Sequence, residues 1–302
     1  SGVVYVDADA NGRYGNETGI GGVAMWLNGL SWDGAGVWMT TTTDSQGRFF
    51  FSPPPTGTYA LSEQQPSIYL DGFEQVGAGG GITGAIGVDT ISGIYFTPTT
   101  PAGQPAAAAA NTFGEVVASS IEGFTFIDSD GNQYLSYYGS CPASCDAPIY
   151  GVTIVLTGVT DAGQSVWMTT TTTTGTIQYY SYIGARYVFT PLRPGAYSVY
   201  EIQPAGYNDG PVESGSPYGQ QGVNRIDQIV LTPGTQAGRY NFGEYPAALS
   251  GYVYLDSNND GVWTSGTESA IGSGTSVELL DASNNIITST TTNSSGVYGF
   301  TI

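Results

Sequence analysis

Histidine and lysine are absent from this chain of 302 residues, and the two gaps remove most of the usual catalytic vocabulary. Without histidine there is no Ser-His-Asp or Cys-His constellation and no imidazole-bound zinc; without lysine there is no Schiff base. A carboxylate pair of the glycosidase kind stays open to the chain. Its acids, however, recur in repeated loops and at strand ends, and no single unrepeated pair stands out, so a protein that is not an enzyme is expected. Positive charge is scarce as well: six arginines face 25 acids, for a net charge of −19. Such a chain offers no basic patch to phosphate or to anionic lipid, which excludes a general nucleic-acid binder. No hydrophobic run approaches the ~18 residues of a membrane-spanning helix, so no membrane insertion is expected. No leader segment precedes Ser1, and the chain reads as mature or as a fragment.

Cysteine is limited to Cys141 and Cys145, in the stretch SCPASC. Their spacing permits a small disulfide ring that would stiffen one loop, and an intramolecular bridge is expected if the protein is extracellular. The alternatives are two free thiols in an exposed loop, or half of a metal site that no further cysteine or histidine could complete.

What the chain has in quantity is 45 glycines, 22 tyrosines and many threonines, with only 10% charged residues. That composition reads as all-β with abundant turns, and it is too rich in aromatic and β-branched residues for an unfolded tail. One phrase organises it. Residues 251–268, GYVYLDSNNDGVWTSGTE, alternate like a strand and then break into Asp256, Asn258, Asp260 and Gly261, closed by Glu268. The same phrase leads from Gly2 to Asp7, Asp9, Asn11, Gly12 and Glu17, and from Gly123 to Asp128, Asp130, Asn132 and, after an insert, Asp146. Each closing acid is followed by Ile20, Ile149 or Ile271, so the register holds on both sides. Oxygen ligands at alternate positions suit calcium, which takes about six to eight oxygens, and a glycine after the third lets the chain turn. The predicted cofactor is therefore Ca2+, the alternative being polar turns built by Asp and Asn alone. The second copy fits least well, with Gln133 in place of the glycine and its closing acid displaced.

Around these loops the chain repeats an order of motifs. GVAMWL (22–27) and GVTIVL (151–156) predict strands, and VWMTTTT follows in both, running in the first unit through a DSQG turn expected to close a hairpin. A Pro-Gly corner then leads into strands ending at Glu63 and Glu201, and TFGE or NFGE closes each unit at Glu115 and Glu244. The stretch TPTTPAGQPAAAAA (97–110) reads as loop. The divisions expected are 1–118, 119–246 and a truncated third unit, 247–302, which has the acid loop and TTTNSSGVYGF but no Pro-Gly corner and no FGE close. Its open edges would be completed by further residues or by a strand of an adjacent subunit in a head-to-tail polymer.

This ordered set, G-(x)4-D-x-[DN]-x-[DN]-G, E-x-x-I-x-G, TTT-[DN]-x-x-G, PG-x-Y and FGE, resembles the B-type repeats of serine-aspartate-repeat surface proteins, relatives of the collagen-adhesin B-type repeats of bacterial cell walls. The resemblance implies tandem immunoglobulin-like, transthyretin-like β-sandwich repeats, calcium-dependent rigidity, and a stalk at the cell surface or cell wall. It also marks a departure, because the Lys-to-Asn isopeptide bond of several such domains cannot form without lysine. Glu63, Glu115, Glu201 and Glu244 are then expected to accept hydrogen bonds from backbone or tyrosine hydroxyls. The function expected is a calcium-stabilised structural stalk or extracellular filament that self-associates; the alternative is an adhesin that binds a host protein or glycan.

Overall fold

The computed structural model describes residues 1–97, 111–136, 145–177 and 180–301, with the side chains of 177, 180–183 and 301 left aside. Among them every regular element is a strand, as the β-branched and aromatic composition requires. The 98–110 portion of the Ala-rich stretch and Cys141 lie outside the described residues.

In the first unit two sheets enclose one core. One sheet runs Arg48–Phe49, Gly2–Val6, Asn111–Val116, Leu70–Gln75; the other runs Gly36–Thr42, Ala24–Ser31, Gly57–Glu63, Thr90–Phe96, Ile82–Thr83. Val4, Phe49 and Phe113 from one meet Met25, Leu27, Tyr59, Leu61 and Ile91 from the other. The second unit repeats the plan, with Ser119–Ile127 beside Gln236–Pro246 in one sheet and Thr153–Thr160, Gly195–Glu201 and Arg225–Leu231 in the other. Ile121, Tyr187 and Phe242 pack there against Ile154, Leu156, Tyr197 and Ile229. Facing sheets with alternate residues turned inward form a β-sandwich.

The first and last strands of each sandwich run parallel. Gly2 pairs with Asn111 and Val6 with Glu115; Thr125 pairs with Phe242 and Ile127 with Glu244. This close approach explains the glycine that opens each phrase: a Cβ on Gly2 would stand 1.9 Å from the Asn111 carbonyl oxygen, and one on Gly123 would stand 1.8 Å from that of Tyr240. The Pro-Gly corner is equally specific. Tyr59 donates its hydroxyl to the Pro55 carbonyl at 2.7 Å and Tyr197 to that of Arg193 at 2.9 Å, tying the strand entrance to the loop four residues earlier, as in tyrosine corners.

The threonine run corrects one expectation. The turn after it closes no hairpin: Gly36–Thr42 pairs with Ala24–Ser31, whereas Arg48–Phe49 pairs with Gly2–Val6 in the opposite sheet. The chain crosses between sheets because the last threonine turns inward. Thr43 Oγ1 donates to the Ile20 carbonyl at 2.7 Å and accepts the Val23 amide at 2.8 Å. Thr172 and Thr292 make the same two bonds, to Ile149 and Val152 and to Gly272 and Thr275. The strand after the acid loop also starts later than its apolar run suggests, at Ala24 and Thr153, because the residues before it form this clip.

Residues 247–301 build three two-stranded ladders, with Ala248–Tyr252 on Val297–Thr301, Tyr254–Leu255 on Ser269–Ala270, and Ser276–Leu280 on Ile286–Thr291. Of the described hydrophobic side chains in this segment only Phe300 is buried, while Leu249, Leu255, Ile286 and Ile287 are exposed.

Candidate metal centres in the acid loops

Each acid loop starts where a first strand ends, and its leading aspartate folds the loop around itself. Asp7 Oδ1 and Oδ2 accept the amides of Asn11 and Gly12 at 3.1 and 2.8 Å. Asp9 accepts from the Asn11 backbone and side chain, and Asn11 Oδ1 accepts from Arg13. Gly12 takes a φ of +68°, which the turn requires. Glu17 returns from the far end to accept the Ala8 amide at 3.1 Å. In the third unit Asp256 accepts Asp260 and Gly261, Asn258 accepts Asp260, and Glu268 accepts Ser257 and Thr264.

The second loop reaches the same arrangement despite its insert. Asp128 accepts Gly131 and Gln133, Asp130 accepts Asn132, and Asp146 accepts Ser129 and Ser136 at 2.8 and 2.6 Å. Gln133 adopts the left-handed conformation that glycine supplies in the other loops, with a φ of +70°.

The loops thus bring together Asp7, Asp9 and Glu17; Asp128, Asp130 and Asp146; and Asp256, Asp260 and Glu268, with one carboxylate oxygen of each residue within 4.8 Å of the others in its group. Asn11, Asn132 and Asn258 lie in the same turns, bonded to the aspartate two positions away. All-oxygen donor sets of this size fit a hard cation such as calcium. The loops differ in depth. Asp7 and Asp128 are buried, their amides donating to the Glu115 and Glu244 carbonyls of the last strands at 2.8 and 3.0 Å; Asp256 is half-buried. Burial accordingly pushes the Asp7 carboxyl upward, as it does Asp146, while the Gly261 amide holds Asp256 below its ordinary range.

Two features escape sequence reasoning. One is a fourth acid group, Asp71, Glu74 and Asp89, in the first unit. It is assembled from a strand and a distant loop, so no local spacing announces it. The other concerns the strand-end glutamates. Among the described residues no backbone amide or tyrosine hydroxyl serves them. Glu115 and Glu244 accept from Gln65 and Gln203, and both oxygens of Glu63 and Glu201 are buried with no amide or hydroxyl donor among the described residues. Glu63 and Glu115 come from facing sheets and meet inside the sandwich, as do Glu201 and Glu244. Burial and the partner acid push Glu63 up to about 11 and Glu201 up to about 10, so each pair holds a proton and each neutral acid can donate to its neighbour.

Tandem immunoglobulin-like β-sandwiches, each with an acid loop after its first strand, are the class that this fold defines. Residues 247–302 match the SdrD B-like domain family, in agreement with the B-type resemblance read from the motifs. The chain is 28% identical over 318 residues to serine-aspartate repeat-containing protein D of Staphylococcus aureus, an alignment that covers 98% of this chain and 20% of that protein. It is 27% identical over 316 residues to serine-aspartate repeat-containing protein F of Staphylococcus epidermidis, covering 98% and 15%. The chain therefore spans no more than about a fifth of the length of these relatives. Among solved structures it is similar to the minor pilin GBS52 of Streptococcus agalactiae, with 12% identity, a TM-score of 0.28 and coverage of 82% of this chain and 98% of that one. For the shaft pilin SpaA of Lactobacillus rhamnosus GG the values are 10%, 0.26, 81% and 96%.

Proposed function

We propose that this chain is a calcium-stabilised spacer of a cell-surface stalk or extracellular filament. Its place at the extracellular cell surface and its repeat character follow from its relatives. The observation that carries the spacer reading is the way units are joined: the strand Asn111–Val116 leads into Ser119–Ile127, and Gln236–Pro246 into Ala248–Tyr252, with hardly any chain between. Bonds across the first join, Gly234 amide to Val117 carbonyl at 2.9 Å and the Arg193 guanidinium to the Asp71 carbonyl, favour a semi-rigid series over loose beads.

Calcium would be held by Asp7, Asp9 and Glu17, by Asp128, Asp130 and Asp146, and by Asp256, Asp260 and Glu268, with Asn11, Asn132 and Asn258 in reach. A bound divalent ion would neutralise carboxylates that otherwise repel one another, and its binding free energy would add to folding stability. The expected result is a lower Tm and faster proteolysis near Asp7 and Asp128 in excess chelator than in calcium. Equal melting curves in the two conditions reject the calcium part. A disulfide between Cys141 and Cys145 belongs to the same extracellular reading, and two alkylatable thiols found by mass spectrometry without reductant would overturn it.

Self-association into fibres is the assembly proposed. Trp38 and Trp167, at equivalent places in VWMTTT, both stand exposed on edge strands. Exposed indoles suit lateral packing, and they also give the second reading its footing, an adhesin face for a protein or glycan. Negative-stain microscopy of native material separates the two: ordered fibres are expected, and isolated rods that bind glycan or host protein through Trp38 and Trp167 favour the adhesin.

A further inference from the structure

Two sheets with open ends present four edges, and among the described residues each complete sandwich protects three of them. In the first, Arg48–Phe49 and Ile82–Thr83 are two residues long, and Leu70–Gln75 carries Asp71 and Glu74 on either side of a register shift. In the second, Gln220–Gly222 is three residues long, Tyr207–Ser216 bears Asp209, Pro211, Glu213 and a register shift, and the ladder of Thr173–Ile177 is broken by another. Shortness, charge, proline and bulges are the devices that keep a sheet edge from pairing with a foreign strand.

The fourth edge has none of them. Gly36–Thr42 and Ser165–Thr171 run for seven residues each, without charge or proline, and keep an unbroken register against the strand inside them. Beyond them the sheet stops. Their solvent faces carry Trp38, Thr40 and Thr42, and Trp167, Thr169 and Thr171, both indoles being 68% exposed. The third unit repeats the edge in Ile286–Thr291, also uncharged. Counted back from the clip threonines Thr43, Thr172 and Thr292, its exposed Ile287 stands where the other two have tryptophan.

The outward amides and carbonyls of such an edge are satisfied by water in a single chain and by a further strand when one is supplied. Charge and repetition decide which strand fits. At a net charge of −19 two copies repel over most of their surface but not along strands that carry no charge, and an uncharged edge has nothing to attract a basic partner. The edge also recurs at one position in all three units, so a partner that meets it more than once must repeat at the same interval, as another copy does. GVWMTTT and SVWMTTT differ only in their first residue, so each edge can pair with itself or with the other, setting threonine and tryptophan beside threonine, the cross-strand pairs that favour a ladder. We propose that Gly36–Thr42, Ser165–Thr171 and Ile286–Thr291 form the assembly surface of the chain, joined by backbone pairing to the same edges of a second copy. This rests on the self-association reading above and gives it a partner and a mode: sheets continued from copy to copy, with the indoles packed over the seam.

The test compares three forms of the full chain by sedimentation velocity and negative-stain microscopy at matched salt. They are the wild type; an edge variant, Thr40→Lys with Thr169→Lys and Ser289→Lys, one exposed residue of each edge; and a control of equal charge, Thr58→Lys with Ala196→Lys and Ser283→Lys, exposed residues away from these edges. Wild type and control are expected to form side-by-side assemblies, and the edge variant to stay single with its Tm unmoved. Amide hydrogen exchange on the wild type reads the mode directly, with slowed exchange in 36–42 and 165–171 expected on assembly. An edge variant that assembles as readily as the wild type overturns the proposal and leaves self-association to another surface. Assembled wild type without slowed exchange in these strands does the same, and that result stands even if the edge variant fails to fold. Loss of assembly in the control as well also overturns it, since lysine anywhere would then suffice. A wild type that stays single at every concentration, whatever else it binds, overturns the self-association reading and this proposal together.

Discussion

The acid loops of the two complete sandwiches and that of the third unit share the spacing of their leading acids and a closing acid that returns to accept loop amides, yet they sit in different surroundings. Asp7 and Asp128 are buried beneath a last strand whose Glu115 or Glu244 carbonyl accepts their amides; Asp256 has no such cover among the described residues and stays half open. Ligand identity is thus a local property, written within a single loop, whereas the cost of leaving those ligands without a cation is set by a strand more than a hundred residues away. Desolvation raises the Asp7 carboxyl, and backbone amides lower that of Asp256.

The largest effect expected from this contrast is on metal-linked stability. With calcium near a thousandfold above its dissociation constant, a filled site contributes about 4 kcal/mol. Asp7→Asn or Asp128→Asn should abolish most of that in its own sandwich, read as a lower Tm in calcium and little change in chelator. Asp256→Asn should leave the melting of both complete sandwiches unmoved. Equal losses from all three variants would break the comparison.

A smaller loss should follow from disturbing the strand cover without touching a ligand. Gly123→Ala drives a methyl group into the Tyr240 carbonyl, which stands 1.8 Å from the ideal Cβ position, and overpacking of this kind costs about 1–3 kcal/mol. The variant should unfold at lower denaturant and bind calcium more weakly at the second loop, while Gly251→Ala, facing only the movable Tyr298 ring, should do neither.

The smallest effect concerns the buried acid pair under that strand. Glu201 lies at about 10 against its ordinary 4.5, so the folded chain keeps a proton that the unfolded chain gives up at neutral pH. Stability from this group is complete below about pH 4.5 and drains away as pH rises toward 10. Glu201→Gln places an amide donor beside Glu244 and should gain on the order of 1 kcal/mol at pH 8 with little change at pH 4, the range of one buried hydrogen bond. Parallel pH profiles of melting for variant and wild type would dispose of the shared proton.

Much of this arrangement is legible in the residues. Repeated Gly-to-Asp spacing, the Pro-Gly-x-Tyr corner and the FGE close locate loops and strands because each depends on contacts a few positions apart. The displaced Asp146 comes back to the second loop because its carboxylate accepts amides from both Ser129 and Ser136, a link that spacing alone does not reveal. What spacing misreads is the threonine run, where one inward hydroxyl at Thr43 or Thr172 sends the chain to the opposite sheet. What it cannot reach is the Asp71, Glu74 and Asp89 group, since their meeting depends on a bulge and on the pairing of strands distant in sequence.

The parallel pairing of first and last strands has a mechanical consequence. In each complete sandwich the chain enters at the start of one strand and leaves at the end of its neighbour, with Gly2 opposite Asn111 and Val6 opposite Glu115 in the first. Tension applied along the chain pulls these neighbours in opposite directions along their length, a shearing geometry in which the rungs must fail together and cannot unzip singly. The next sandwich takes up its first strand only a few residues later, so the same tension passes from one such pair to the next. Resistance to stretching is then governed by the rate of opening under force more than by equilibrium stability. A cation held between the end of the first strand and its loop would act as a pin at one end of that pair.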